Sequence, residues 1–188
     1  MSEPIDPGAA RRSLRELLQA TFRTGVITLA SGKTTDFYID GRLVTLDPRG
    51  LDLVATLALE ELRGRCDAIG GPTSGADPMV AAIGLRAWQE GIPLRLFFTR
   101  REAKAHGLGR RIEGPPLRKG DRVALLDDVA TSGGSLLRAA TAVREETGAT
   151  VERALVIVDR QEGAEEALQE AGLELTALFT REELVEGD

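Results

Sequence analysis

The chain has 188 residues, 42% hydrophobic and 29% charged, enough for one domain with a full core. A net charge of -6 without a strongly basic tract argues against nucleic acid as a partner, and a single cysteine, Cys66, rules out an internal disulfide framework and fits a reducing compartment. No apolar stretch reaches bilayer length and the polar, acidic N-terminus is no signal peptide, so a cytoplasmic protein with no membrane partner is expected.

In chain order, Ala9 to Phe22 carries Leu14, Leu17, Leu18 and Phe22 at helical spacing, with Pro7 near the start. Gly25 breaks this helix. Val26 to Leu29 and Asp36 to Ile39 then read as two strands of a hairpin. A second helix is predicted from Arg49 to Leu62, then a short strand, Asp67 to Gly70, opening into Gly71-Pro-Thr-Ser-Gly-Ala76. Asp77-Pro78 reads as the acidic cap and first-turn proline of a third helix reaching Trp88. Leu94 to Thr99 is the next strand. Arg100 to Gly114 has neither helical nor strand period and is a long charged loop, of a length that is usually functional or disordered.

Val123 to Leu126 is a continuous apolar run, as in a strand buried on both faces, and it ends in Asp127 and Asp128. The small residues Thr131, Ser132, Gly133, Gly134 and Ser135 lead into a helical pattern from Leu136 to about Thr147. Val151 to Val158 is a further buried strand, Gln161 to Ala171 a helix, and Leu173 to Phe179 a last strand before a short acidic tail. Strand and helix alternate from Asp67 onward. The expected fold is therefore α/β, a parallel sheet flanked by helices, with an N-terminal helix-plus-hairpin cap: one domain, 1–45 the cap and 46–188 the core.

The stretch from Asp127 to Ser135 carries the chemistry. A loop of small residues entering a helix offers free amides and the positive end of the helix dipole to an anion. The two carboxylates would repel that anion, and suit sugar hydroxyls or a hydrated cation. Together they describe a sugar-phosphate site; the alternative is an ordinary strand-to-helix turn with an acidic cap. Gly71 to Ala76 adds bare backbone and hydroxyls suited to a diphosphate. Ser31-Gly32-Lys33-Thr34 is no P-loop, because the glycine required before it is Ile27, and Gly107-Leu-Gly109 lacks the strand-turn-helix of a dinucleotide fingerprint.

The string Asp127, Asp128, Val129, Ala130, Thr131, Ser132, Gly133, Gly134, Ser135 resembles the phosphoribosyl diphosphate (PRPP) motif of type I phosphoribosyltransferases. Arg100-x-x-x-Lys104-x-His106-Gly resembles the catalytic loop of orotate phosphoribosyltransferases in particular. Ser31-Gly-Lys33-Thr-Thr-Asp-Phe-Tyr38 resembles that family's N-terminal signature, and Asp159-Arg160 its orotate-binding arginine. The resemblance implies transfer of phosphoribosyl from PRPP to orotate in UMP synthesis. It implies PRPP contacts from Arg100, Arg101, Lys104, His106 and the whole string 127–135, with Lys104, His106, Asp127 and Asp128 closest to the chemistry. Orotate would meet Lys33, Tyr38, Thr131 and Arg160. Mg²⁺ would be held through substrate and water, with Asp127 and Asp128 as protein ligands, and a homodimer would share its active sites through the loop. Ala30 and Ser74-Gly75 stand where many members carry lysine or a Tyr-Lys pair, which leaves the groups neutralising the diphosphate open among Lys33, Arg100 and Arg101. A phosphoribosyltransferase for another base and a non-enzymatic PRPP sensor are the alternatives.

Overall fold

The buried run at Val123 becomes the middle of a sheet with both faces covered. In the computed structural model, which describes residues 6–28, 32, 34–102 and 110–186, the chain runs through α1 (Pro7–Gln19), β1 (Arg23–Thr28), β2 (Thr34–Tyr38), α2 (Arg42–Thr45), α3 (Pro48–Leu62), β3 (Ala68–Pro72), α4 (Asp77–Gln89) and β4 (Arg95–Thr99). It continues through β5 (Ile112–Glu113), β6 (Arg122–Ala130), α5 (Gly134–Thr147), β7 (Thr150–Asp159), α6 (Ala164–Glu170), β8 (Glu174–Thr180) and α7 (Arg181–Glu186). Among the described residues, the main sheet has the order β5-β4-β3-β6-β7-β8, while β1 and β2 form a sheet of their own.

Strand alternation explains the two layers. Ala124 and Leu126 of β6, with Leu155 and Ile157 of β7, pack toward α1, α3 and α4; Val123 and Leu125, with Ala154 and Val156, pack toward α5 and α6. The first core takes in Leu14 and Leu18, so α1 docks on the main body, against α3. The hairpin is attached differently. β1 is exposed along most of its length, and Phe37 of β2, fully buried and stacked 5.3 Å from the Phe22 ring, is its anchor. Arg181 reinforces the attachment, 2.6 Å from Asp36 and lying over the Phe37 ring.

Several expectations need correction. The loop after β4 has a strand at its far end: Phe98 pairs with Glu113 and Thr99 with Ile112, antiparallel, so the otherwise parallel sheet gains an antiparallel edge. Two paired residues are too few to leave a period in the sequence. Asp77 is the first residue of α4 and Ala76 its cap; Asp77 Oδ1 is buried without a hydrogen-bond partner among the described residues, and burial raises its pKa. The acidic tail is α7, whose Glu183 accepts from the Thr180 amide at 2.7 Å and pairs with Arg11 of α1. α5 begins earlier than its apolar pattern, at Gly134, and α6 later than predicted, at Ala164. The short α2 was not foreseen. Cys66 is buried, and burial pushes its thiol up to about 11, as suits a packing residue. No helix of the described residues is long and apolar enough to cross a membrane.

Candidate active site

The chain builds outward from β3 to β4 and β5, then returns to lay β6, β7 and β8 on the other side, so its direction reverses between β3 and β6. Open α/β sheets bind ligands at such a reversal, beyond the carboxyl ends of the strands. The register shows how the crevice opens. β3 and β6 pair from Ala68↔Val123 to Gly70↔Leu125 and then part; β3 continues beside β4, Pro72 facing Thr99, while β6 continues beside β7 to Ala130↔Asp159. Asp127 and Asp128 therefore lie within a strand that runs on to Ala130, not at its end as the sequence suggested. Their unpaired edge is the wall of a cavity of about 350 Å³.

On one side of that cavity lie Pro72, Thr73, Ser74 and Gly75; on the other are Asp127, Asp128, Val129, Thr131 and Ser135; Tyr38 and Arg160 close the end toward the hairpin. Gly75 is required by proximity. A Cβ there would stand 2.6 Å from Oδ1 of both Asp127 and Asp128, and one at Gly41 would stand 2.8 Å from Asp128. Ser135 Oγ donates to Asp127 Oδ2 at 2.8 Å, and the Val129 amide to Asp128 Oδ1 at 2.9 Å. α5 starts at Gly134, after Gly133 with φ 71°, and Ser135 of its first turn lines the crevice, which sets a helix N-terminus beside it.

Burial is the main force on both carboxyls. It raises Asp127 to about 7, with the neighbouring Asp128 adding to the effect and the Ser135 hydroxyl opposing it; Asp128 is raised as well, again by burial first. For Asp127 the folded pKa lies above the ordinary 3.8, so its contribution to stability is full below about 4 and is lost as pH rises through 7. In ligand-free, metal-free protein, the unfolding temperature should therefore fall across that window. Asp127→Asn should flatten the slope, read by thermal melts in a pH series; an unchanged slope would place its origin elsewhere.

Arg160 ends the β7 side. Its backbone amide donates to Ala130 O at 3.0 Å and its Nη2 to Thr35 Oγ1 and Phe37 O, both at 2.9 Å, so it joins the core to the hairpin. Its acidic neighbour is Glu162, not Asp159, whose carboxylate accepts the Gln161 amide.

Of the residues singled out from sequence, Tyr38, Asp127, Asp128, Val129, Thr131, Ser135 and Arg160 meet around this one cavity. Ser132 lines an adjoining cavity beside Arg160. Ala130 is buried in the sheet, and Gly133 packs near Leu168 and Ala164. Arg100 and Arg101 line a separate cavity of about 430 Å³ that shares Pro72, Thr73 and Ser135 with the first. Lys33, Lys104 and His106 lie outside the described residues. The sequence reading missed Asp40, Gly41 and Arg42, which line the crevice. Asp40 accepts from Arg42 Nε at 2.8 Å, which holds its carboxyl below the usual range. An Asp-Gly pair directly after a strand was the available signal.

The chemistry of the donor set fits a magnesium ion. Two adjacent carboxylates face an open cavity, and among the described residues no cluster of three or more His, Cys, Asp or Glu forms a protein cage. Mg²⁺ is ordinarily held by one or two carboxylates together with water and substrate oxygens.

The orotate phosphoribosyltransferase of Rhodopseudomonas palustris is 41% identical to this chain over 188 residues, covering 96% of this chain and 99% of that one. That of a Nostoc species is 38% identical over 176 residues, covering 93% and 85%. Among solved structures, Mycobacterium tuberculosis orotate phosphoribosyltransferase in complex with Fe(III) dicitrate aligns with a TM-score of 0.79 at 36% identity, over 94% of this chain and 99% of that. The same enzyme in complex with PRPP aligns at 0.74 and 31%, over 93% and 98%. No family model matches the chain.

Proposed function

The chain belongs to the orotate phosphoribosyltransferase family, and from that premise we propose that the crevice between β3 and β6 is where it joins PRPP to orotate. It is a glycosyltransferase of pyrimidine synthesis, forming orotidine 5'-monophosphate and diphosphate. The observation that carries the assignment of the site is the pair Asp127–Asp128 on the unpaired edge of β6, beside the first turn of α5.

The residues divide the work. The amides of the α5 first turn and the Thr131 and Ser132 hydroxyls hold the 5-phosphate. Asp127 and Asp128 accept the ribose hydroxyls, and the loop from Thr73 to Gly75 lies where the diphosphate passes. Orotate enters from the hairpin side against Tyr38, its carboxylate toward Arg160, whose planar fork suits that group. Positive charge builds on the ribose as the diphosphate departs, so the chain's task is positioning and charge stabilisation, with no protein nucleophile. Mg²⁺ held by Asp127 and Asp128 through substrate oxygens and water would neutralise the leaving group. Arg100, Arg101, Lys104 and His106 supply positive charge from the loop, an assignment the resemblance supports.

A homodimer with shared sites also rests on the resemblance. Leu43 and Leu46 are exposed and available to an interface, whereas Val44 between them is buried in the core. The reading of 1–45 as cap and 46–188 as core is supported by the hairpin having a sheet of its own, although α1 packs on the core. The phosphorylated substrates do not cross membranes unaided, which supports a cytoplasmic enzyme.

The decisive assay is PRPP-dependent consumption of orotate followed by its ultraviolet absorbance, with uracil, hypoxanthine and adenine as controls. Turnover of a control base without orotate turnover would overturn the substrate. Within that assay, Arg160→Ala should raise the orotate KM by about a hundredfold, the scale of losing a buried charged hydrogen bond, and the PRPP KM far less. Because Arg160 also ties down Thr35 and Phe37, a modest loss of thermal stability should accompany it. Equal effects on both substrates would reduce Arg160 to that tie.

A further inference from the structure

The turn after β7 carries an acid with no part in the chemistry above. Glu162 Oε1 lies 2.7 Å from Arg160 Nη2. Arg160 is 8% exposed, and its buried Nε has no hydrogen-bond partner among the described residues. The Glu162 side chain, by contrast, is 36% exposed. Together they line a cavity of about 710 Å³ with Thr34, Thr35, Thr131 and Ser132, and Arg160 also lines the cavity of the aspartates. Arg160 is thus shared by the two cavities.

The turn itself is fixed. Gln161 adopts a left-handed φ of 56°, its amide donates to Asp159 Oδ1 at 2.9 Å, and its side-chain carbonyl accepts the Glu182 amide at 3.0 Å. Residues 160 and 162 are thereby brought to the same cavity. Glu162 is not what holds Arg160 in place, because Thr35, the Phe37 carbonyl and the Arg160 backbone bond to Ala130 do that. What Glu162 contributes is charge. A buried guanidinium without an anion is costly, and a carboxylate on a partly solvated side chain can neutralise it and still withdraw.

We propose that Glu162 is the resident counter-carboxylate of Arg160, that the carboxylate of the incoming base displaces it, and that this exchange selects bases by charge. The proposal deepens the orotate reading and rests on it. A base bearing a carboxylate replaces like with like and leaves Arg160 neutralised. A neutral base must either leave the Arg160–Glu162 pair closed across its path or strand a buried charge. Glu162 touches no reacting atom; it is a positioning residue that acts through Arg160. It follows that orotate always competes with Glu162, so its affinity is lower than Arg160 alone would allow.

The test is Glu162→Gln in the full chain, which keeps the shape and removes the charge. At saturating PRPP the orotate KM should fall about tenfold, a modest share of what close charge pairs contribute at interfaces, while the PRPP KM stays within about twofold. At a fixed orotate concentration, the rise in unfolding temperature should exceed that of the wild type. An orotate KM that is unchanged overturns the proposal. So does one that rises and is restored by Glu162→Asp, which would make Glu162 an orienting brace for Arg160. Should the wild-type protein show neither turnover nor thermal shift with orotate, the functional reading itself fails; wild-type binding without tightening in the variant defeats the exchange alone.

Discussion

Asp128→Asn should lower turnover by about two to three orders of magnitude, the scale on which one preorganised electrostatic contact acts, and leave the unfolding temperature nearly unchanged. The two halves of that expectation have separate causes. Asparagine keeps an oxygen for the Val129 amide that Asp128 Oδ1 now accepts, and it removes one of two buried like charges whose pKa values burial has raised. The fold therefore loses little. On the proposed reading, the reaction loses a negative oxygen beside the ribose, where positive charge would develop, and a candidate ligand for Mg²⁺. Wild-type PRPP kinetics in this variant would move the ribose contact away from Asp128, and a collapse of stability would make the residue structural.

The second large effect is a gain from two inactive proteins. Lys104→Ala removes charge from the loop, and Asp128→Asn removes the proposed ribose contact. If the loop serves the neighbouring subunit, a mixed dimer has one doubly damaged site and one intact site. Random re-annealing of an equal mixture makes half the dimers mixed, so about a quarter of wild-type activity should return. If the loop serves its own subunit, every site keeps a lesion and the mixture stays inactive. Continued inactivity, with subunit exchange confirmed independently, would refute shared sites and leave the assignment to the family untouched.

The strand at Val123 and the small-residue turn were legible because both leave strong local marks: an uninterrupted apolar run, then carboxylates and glycines in order. The crevice was not, because it arises from pairing. Nothing in the sequence of β6 says that β3 leaves it after Leu125 while β7 stays to Ala130. The contribution of Asp40, Gly41 and Arg42 was hidden for a similar reason, since only tertiary packing sets Gly41 against Asp128. Helix ends went astray where apolar periodicity was used to find them: α5 begins at Gly134, ahead of Leu136, because a helix starts where its hydrogen bonds start and not where its buried face does. Likewise Glu162 reads as one more surface acid until the turn at Gln161 folds it onto Arg160.

The hairpin forms a sheet of its own among the described residues. Held by Phe37, Arg160 and Arg181, and paired with no strand of the main sheet among the described residues, it is expected to open before global unfolding. Its open population enters the thermodynamics of base recognition directly. If Tyr38 and Arg160 receive the base as proposed, they do so only in the closed fraction, and the apparent dissociation constant is the intrinsic one divided by that fraction. Substitutions that merely loosen the Phe22–Phe37 stack would then mimic active-site lesions on the base side and spare the ribose-phosphate side, though they touch no ligand.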